Sequence, residues 1–191
     1  MYPRIAGENA HAEEVTDEVL AARVSGDFEA FAELYRRYLH RIYRFVRSQV
    51  SDRTAAEDLT AQVFFKALSS AATFKGHGRY RSWLFRIAHN TIATYRTRSE
   101  PSVAVEEIPD EMDPAPSPAS QAIASEARGV VWRKVAQLPH AQREVVSLHY
   151  AEGLSIEEIS KILKKTRGAV RILLHKGRNK LRDALSGRDL L

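Results

Sequence analysis

The sequence predicts an all-α protein of two small helical domains, and three observations lead to that prediction. Apolar residues recur at intervals of three and four in both halves of the 191-residue chain, as they do on the buried side of amphipathic helices. No segment alternates apolar and polar residues as a half-buried strand would. Residues 99–120 hold five of the seven prolines and six acids without a Lys or Arg, a composition that can neither continue a helix nor bury a core.

These observations divide the chain into an N-terminal helical domain over residues 17–98, a flexible acidic linker over residues 99–120, and a C-terminal helical domain over residues 121–187. The N-terminal domain should contain three helices. Their predicted core residues are Phe28, Phe31, Leu34, Tyr35, Tyr38, Ile42 and Phe45 on the first, Leu59, Val63, Ala67 and Leu68 on the second, and Leu84, Ile87, Ala88, Thr91 and Tyr95 on the third. After the linker, the same spacing returns in Ile123, Ala127, Val130, Val131 and Val135.

The C-terminal domain carries the start and stop signals of a helix-turn-helix motif. Pro139 suits the first turn of one helix, and Gly153 can supply the left-handed residue that ends it. Ser155 and Glu158 have the spacing of a capping box, which predicts a short helix over about residues 156–163. A tight turn then leads to a long basic segment. The short helix, the turn and the basic helix together form the helix-turn-helix that many DNA-binding proteins use.

The basic segment over residues 167–182 is the predicted recognition helix. It would pack one face on its own domain and present the other to the major groove of DNA. The packing seam runs through Val170, Leu174, Gly177 and Leu181. The candidate DNA-binding residues are Arg167, Arg171, Ile172, His175, Lys176 and Arg178. The alternative is a surface helix in an ordinary helical hairpin.

Composition and charge bound the function. The chain carries no cysteine, its seven histidines are scattered, and no apolar run approaches the roughly 20 residues that cross a bilayer. We therefore expect a cytoplasmic protein that does not bind a membrane and has no catalytic residue, metal or cofactor. The net charge of +5 becomes +11 outside the acidic linker, and seven Lys and Arg stand without an acid between Thr60 and Ser99, as do nine between Lys161 and Arg182. Two basic tracts indicate two nucleic-acid contacts, although a solvated helix face would explain either one alone.

The basic tract of the N-terminal domain is interleaved with aromatic residues, which suits single-stranded DNA better than a duplex. Bases stack on aromatic rings beside cations, each for about 1–3 kcal/mol. On a helix that starts near Ser82, one face would hold Trp83, Arg86 and Asn90 while another packs. A loop with two glycines precedes it and can close around an extruded base. The candidate DNA-binding residues here are Phe74, Lys75, Arg79, Arg81, Trp83, Arg86, Asn90, Arg96 and Arg98.

Three segments resemble successive signatures of the extracytoplasmic-function (ECF) sigma factors of the sigma-70 family. They are AEDLTAQVFFKA at residues 56–67, YRSWLFRIAHN at residues 80–90 and LPHAQREVV at residues 138–146. Their order and spacing match the family over about residues 27–98 and 128–185. The chain departs from the family pattern at Ala61 and Gln62, and at Ile172 and Leu173, where the family usually has a polar pair.

The resemblance implies a function and partners. Such a protein binds core RNA polymerase and directs transcription initiation at specific promoters. Asp58, Leu59, Gln62 and Phe65 would dock on the clamp helices of the polymerase's largest subunit. The loop from Phe74 with Trp83 and Asn90 would capture the melted minus-ten element, and the C-terminal helix-turn-helix would bind the minus-thirty-five element. An anti-sigma factor is a further partner that the family implies, although no residue of this chain indicates one.

Two other classes of protein are alternatives to a sigma factor. A helix-turn-helix activator of the response-regulator type would fit Leu138 to Leu163, but its N-terminal half should contain strands, which the sequence does not predict. A metal-dependent hydrolase would need clustered histidines and carboxylates, which the sequence lacks. Binding to core polymerase in a pull-down would separate a sigma factor from an activator.

The linker has a limited reach. As a flexible coil, its 22 residues would span roughly 26 Å, whereas DNA sites two helical turns apart are separated by roughly 70 Å. On DNA, something must therefore hold the two domains apart, and polymerase would.

Overall fold

The structure is a computed structural model that describes residues 15–74, 79–98 and 129–186. All regular structure in these ranges is helical, which confirms the predicted all-α class. The helices are α1 (Asp17–Arg23), α2 (Phe28–Gln49), α3 (Arg53–Ser69), α4 (Tyr80–Arg98), α5 (including residues 129–136), α6 (His140–Val146), α7 (Ile156–Leu163) and α8 (Arg167–Leu185). A 3₁₀ turn (Ala71–Thr73) follows α3, and a π-helical turn (Ser147–Ala151) continues α6. The acidic linker over residues 99–120 lies outside the described residues.

The N-terminal half is a bundle of α2, α3 and α4, with α1 packed against α2 and α4. The first turn of α2 is capped by Asp27, whose carboxylate accepts a hydrogen bond from the Ala30 amide at 3.1 Å. Leu34, Tyr38 and Ile42 are then buried at successive turns of α2, as the apolar spacing predicts. The buried side of this helix forms the centre of the bundle.

Five predicted core positions are exposed in the structure. In the N-terminal half these are Phe28, Tyr35 and Leu68, at 73%, 38% and 42%, whereas Phe64, which the predicted seam of α3 did not include, is buried. Because α3 packs against both α2 and α4, its buried sector is wider than one seam and reaches Phe64. In the C-terminal half, Val130 and Val131 are exposed and Val135 is buried, whereas Ile123 and Ala127 lie outside the described residues.

The helix-turn-helix forms where the sequence predicts it. The Ser155 hydroxyl accepts from the Glu158 amide at 3.2 Å, and the Glu158 carboxylate accepts from the Ser155 amide at 2.8 Å, which closes the capping box of α7. Gly153 has the left-handed φ of 63° expected of it. Thr166 caps α8 by accepting from the Ala169 amide at 3.1 Å. The tight turn between α7 and α8 therefore starts at the left-handed Lys164, which ends α7, and finishes at Thr166, which caps α8.

The two halves pack against each other, which the sequence did not predict. Helix α4 contacts α7, and α2 contacts α6. Buried residues of both halves, among them Phe85 of α4 and Ile159 of α7, belong to one continuous apolar cluster. The chain alone is thus a single closed body over the described residues.

Candidate nucleic-acid interface

Helix α4 has three sides with different surroundings. One side packs inside the N-terminal bundle, where Leu84, Ala88 and Thr91 are buried. A second side turns toward the C-terminal half and carries Ser82 and His89, which bond to that half. At about 100° per residue, the third side carries Arg86, Asn90 and Thr94, all exposed. The predicted separation of a packing face from a polar face is therefore observed, and the exposed face is open to a ligand.

An aromatic cluster adjoins the exposed side of α4. The Trp83 ring lies 5.4 Å from that of Phe74 and 5.5 Å from that of Tyr80, measured between centroids. Trp83 and Phe74 are both only partly buried, whereas Tyr80 is buried. Trp83 can therefore both pack and bind a base, because one part of its ring contacts Phe74 and Tyr80 and the rest is accessible. A preformed aromatic surface beside Arg86 and Asn90 suits an unstacked base.

The other N-terminal candidates divide between two places. Arg79, Arg96 and Arg98 are exposed, as a phosphate contact requires. Arg81 is different, because it is partly buried and its guanidinium lies 3.5 Å from the Gly153 carbonyl oxygen of the other half. In this closed arrangement Arg81 contacts the C-terminal half and does not lie on the exposed face; its assignment to DNA stays a prediction. Lys75 lies outside the described residues.

The recognition helix α8 presents the predicted side chains. Val170 and Gly177 of the seam are buried, and Leu173 packs beside Leu174 against the core. Ile172 points away from the domain and is 58% exposed. The candidate residues Arg167, Arg171, Ile172, His175, Lys176 and Arg178 are all exposed. A stripe of cations around one exposed branched apolar side chain can contact phosphates and a thymine methyl.

Two local bonds shape this basic surface. The amide of Asn179 lies 3.0 Å from His175 Nε2, one turn apart on α8. Arg167 lies 3.8 Å from Glu157 of α7, in an exposed ion pair that contributes little to stability. Asn179 was not among the predicted residues, and only its spacing of four from His175 could have indicated it.

A further exposed surface lies on α3. Asp58, Gln62 and Phe65 are exposed on this helix, and Phe65 at 72% is among the most exposed large apolar residues of the part of the chain the structure describes. Leu68 extends the apolar area one turn further. Leu59, also predicted to contact polymerase, is only 2% exposed. Leu59 packs inside the bundle and supports the exposed surface of α3 from behind. It could contact polymerase only if α3 separated from the helices next to it.

Polar contacts between the halves were missed by sequence reasoning. Three carboxylates of the C-terminal half bond to side chains of the N-terminal half, and we refer to these three pairs as the carboxylate clasp. The pairs are Arg41 with Glu152 at 2.8 Å, Ser82 with Glu158 at 2.6 Å and His89 with Glu144 at 2.6 Å. On the C-terminal side of the same interface, Arg143 donates to the Ser48 carbonyl oxygen at 3.0 Å.

The electrostatics of the carboxylate clasp follow from its burial. Glu152 is 2% exposed, and burial raises the pKa of its carboxyl, an effect that Arg41 opposes. Burial would also raise the pKa of Glu158, but hydrogen bonds from Ser82 and Ser155 outweigh it and lower that pKa. Each buried carboxylate therefore depends on a donor from its partner.

A partly buried histidine adjoins the clasp. Burial lowers the pKa of His140 to about 4; the nearby Glu144 opposes this shift, and Arg96, Arg143 and His89 reinforce it. Its Nε2 atom has no hydrogen-bond partner. His140 is consequently neutral at physiological pH, and protonating it would place a cation among cations.

The fold and its surfaces define a class of protein: a helix-turn-helix protein with a second helical bundle that carries an aromatic cluster beside exposed polar residues. Comparison with known sequences extends this. Residues 34–100 match the family description Sigma-70 region 2, and residues 128–181 match Sigma-70, region 4. In the part of the chain that the structure describes, no helix is long and apolar enough to cross a membrane, and no three metal-binding side chains gather at one place.

Individual relatives agree with the family matches. The chain is 32% identical over 177 residues to the ECF RNA polymerase sigma-E factor of Escherichia coli K12, covering 87% of this chain and 92% of that protein. It is 30% identical over 162 residues to the ECF RNA polymerase sigma factor BldN of Streptomyces coelicolor, covering 83% of this chain and 61% of that protein. The chain belongs to the ECF sigma factors, which direct promoter-specific transcription by RNA polymerase.

Solved structures show the same fold. CnrH, in complex with the cytosolic domain of CnrY, superposes with a TM-score of 0.63 at 24% identity, over 90% of this chain and 97% of that one. The sigma factor RpoE from Bartonella quintana, in complex with the anti-sigma factor NepR, gives a TM-score of 0.66 at 23% identity, over 83% and 98% of the two chains. The family matches and the sequence relatives confirm the resemblance drawn from the three sequence segments.

Proposed function

We propose that the two halves of this sigma factor bind different promoter elements in different states of the DNA. The N-terminal half, residues 17–98, captures the minus-ten element after it melts. The C-terminal half, residues 121–187, binds the minus-thirty-five element as a duplex. The acidic linker over residues 99–120 joins them within polymerase. The observation that carries this proposal is the exposed side of α4, where Arg86, Asn90 and Thr94 lie beside the Trp83 ring.

The exposed side of α4 supports capture of an unpaired base for chemical reasons. Asn90 offers both a donor and an acceptor for the edge of a base, and the rings of Trp83 and Phe74 offer a stacking surface. Arg79, Arg86, Arg96 and Arg98 supply cations along the same half for the backbone of the strand. Paired bases in a duplex would present neither their faces nor their Watson–Crick edges to this surface.

The exposed side of α8 supports binding to a duplex. An α-helix fits the major groove, and the first turns of α8 present Arg171, Ile172 and His175 without obstruction from the rest of the domain. Lys176, Arg178 and Arg167 are positioned for phosphates. Ile172 replaces a polar residue usual in the family and is assigned to a thymine methyl.

The exposed residues of α3 support polymerase binding. Phe65 and Leu68 form an apolar surface with Asp58 and Gln62 beside it, a combination that is typical of the centre of a protein interface. Leu59 holds this surface from behind. An anti-sigma factor, such as the partner of the Bartonella protein, would compete for such exposed surfaces, and we place the protein in the cytoplasm because core polymerase acts there. We assign no catalytic, metal or cofactor role to any residue.

The need for polymerase follows from the energetics of melting. Opening roughly ten base steps at about 1.4 kcal/mol each requires about 14 kcal/mol, whereas one or two stacked bases return only a few. This protein alone should therefore not melt DNA. Its role is to trap bases that the complete enzyme exposes.

The test is bubble formation by reconstituted holoenzyme carrying Asn90→Ala. Permanganate reactivity of minus-ten thymines should appear roughly tenfold more slowly or to a lower extent, because a base contact worth about 1–3 kcal/mol is lost. Affinity for the closed promoter should stay within twofold. Gln137→Ala, which removes an exposed amide from the other half, is the matched control and should behave as wild type. If Asn90→Ala weakens the closed complex while opening proceeds normally, this side of α4 binds duplex DNA and the proposal is wrong.

A further inference from the structure

Helix α4 receives its N-terminal cap from a distant part of the sequence. The residue before its first residue, Tyr80, is Arg79, whereas Ser, Thr, Asp and Asn are the residues that cap helices well. The cap comes instead from α1, where the Glu18 carboxylate accepts a hydrogen bond from the Tyr80 amide at 3.1 Å across 62 residues of sequence. A carboxylate is also favoured there by the positive end of the helix dipole. The start of α4 is therefore tied to the position of α1.

Helix α1 is itself anchored on α2. Its residues Leu20 and Ala21 are buried. The Asp17 carboxylate accepts a hydrogen bond from Arg37 Nη1 at 2.9 Å and a second one from the Tyr38 hydroxyl, and both donors lie on α2. Apolar burial at one place and two hydrogen bonds at another leave α1 little freedom to move. Its side chains can therefore serve as fixed points for other helices.

The two acids of α1 meet at Tyr80, the buried member of the aromatic cluster. One acid binds the Tyr80 amide, and the other binds the hydroxyl of Tyr38, whose ring packs edge-on against the Tyr80 ring with centroids 5.5 Å apart. Tyr80 is 3% exposed, and its ring lies 5.7 Å from that of Phe74 and 5.5 Å from that of Trp83. The partly exposed rings of the cluster thus rest on a residue that α1 holds from two sides.

We infer that Glu18 is a positioning residue for the melted strand: by capping α4 it holds the Trp83 ring, beside Asn90, in the arrangement that receives an unpaired base. This inference rests on the proposed capture of the minus-ten element by α4. Glu18 need not touch DNA, because a ring that is already ordered loses less entropy when a base stacks on it. Helix α1 precedes the residues 34–100 that match Sigma-70 region 2, so that the cap lies outside the segment that defines the family.

The first test is promoter opening by reconstituted holoenzyme, with variants that separate the hydrogen bond from the charge. Glu18→Ala removes both, and permanganate reactivity of minus-ten thymines should appear about two- to tenfold more slowly, as expected for one lost hydrogen bond. Glu18→Gln keeps an oxygen that can accept from the Tyr80 amide and should open at the wild-type rate. Glu29→Ala removes an exposed acid from the same half and should also match wild type. Affinity for the closed promoter should be equal in all four proteins.

The second test measures the position of the aromatic cluster without DNA. The chain has two tryptophans, so Trp132→Phe is introduced into every protein and the remaining fluorescence comes from Trp83. Glu18→Ala should move this emission to longer wavelength and increase its quenching by acrylamide, because the ring becomes more accessible. Glu18→Gln should match the reference protein. Tyr38→Phe, which keeps the ring but loses the hydroxyl that Asp17 binds, should give a smaller change in the same direction. Circular dichroism confirms that each variant is folded.

Five results would overturn the inference. Wild-type opening by Glu18→Ala, while Asn90→Ala opens slowly, would mean that the cap does not position the strand although the proposed function holds. Equal slowing by Glu18→Ala and either Glu18→Gln or Glu29→Ala would assign the effect to charge. An equal loss of closed-complex affinity would indicate general destabilisation. Unchanged Trp83 fluorescence in both Glu18→Ala and Tyr38→Phe would mean that α1 does not hold the cluster. If Asn90→Ala also opens at the wild-type rate, the proposed function fails and the positioning role fails with it.

Discussion

Gly177 lies where α8 packs against α6, and replacing it tests whether that packing sets the position of the recognition helix. A Cβ atom at Gly177 would lie 2.8 Å from Val146 Cγ2 and 3.5 Å from Gln142 Cβ. Val146 is 2% exposed and branched at Cβ, so that it has no free rotamer to adopt. Gly177→Ala therefore forces the two helices apart or strains Val146.

The expected magnitude follows from two opposing effects. Alanine in a helix interior is about 1 kcal/mol more favourable than glycine, whereas overpacking costs about 1–3 kcal/mol. The net result should be a loss of about 1 kcal/mol in the free energy of unfolding, or roughly 2–4 °C in Tm for a chain of this size. Affinity for minus-thirty-five DNA should also fall, because the displaced α8 no longer meets the groove at the same angle.

Gly168 provides the matched control on the same helix. A Cβ atom there would meet nothing nearer than Thr166 Oγ1 at 3.9 Å, so that Gly168→Ala should raise stability by up to about 1 kcal/mol. Val146→Ala should rescue Gly177→Ala, and the double variant should lose less stability than the two single variants together. Urea unfolding followed by circular dichroism measures the four variants and the wild type. Additive losses, or equal stability of the two glycine variants, would refute the argument from packing.

Four further predictions concern other parts of the molecule. Phe65→Ala should weaken core-polymerase binding without changing stability, whereas Phe64→Ala should destabilise the bundle by about 3–5 kcal/mol. Equal polymerase affinity for wild type and Phe65→Ala would contradict the assignment of the exposed α3 residues to polymerase binding. Ile172→Ser should cost about 1–3 kcal/mol at one upstream thymine, and exchange of that thymine for uracil should abolish the difference; no methyl-dependent position would mean that Ile172 does not contact DNA. Because burial lowers the pKa of His140 from 6.5 to about 4, protonation does not affect folding above about pH 6.5, whereas below it the unfolded state binds the proton first. Tm should therefore decline as pH falls from 6.5 toward 4, and His140→Gln should flatten the decline. Lys164→Gly should raise stability by about 1 kcal/mol, since this residue has a φ of 52°, which disfavours side chains; unchanged or lower thermal stability would refute it.

Local signals predicted the helix-turn-helix accurately because its boundaries are set by short-range chemistry. The capping box of Ser155 and Glu158 and the left-handed Gly153 act within four residues of their own position in the sequence. The exposure of Ile172 and Phe65 could also be predicted from the sequence, because successive residues of a helix lie at a fixed angle to one another. The prediction failed at Phe64 and Leu68 because α3 packs against two neighbouring helices, and one apolar seam does not describe the buried side of such a helix.

The packing between the halves was not predictable in the same way. Glu144, Glu152 and His89 are residue types that usually face water, and nothing in their local sequence distinguishes them from surface charges. Their burial depends on Arg41 and other donors that lie far away along the chain, and on α4 approaching α7. Periodicity identifies which side of a helix is apolar, but not which polar side meets a partner.

Helix α4 takes part in the N-terminal bundle, in the exposed side and in the contacts between the halves. Successive residues of one turn face different surroundings: Ser82 bonds to the C-terminal half, Trp83 borders the exposed side and Leu84 is buried in the bundle. The helix that would hold the melted strand is therefore also the helix that holds the halves together. Separating the halves leaves its buried side intact, because that side packs within the N-terminal bundle, and leaves Asn90 exposed as before. The exposed side of α4 and its contacts with the C-terminal half are therefore separate surfaces of one helix.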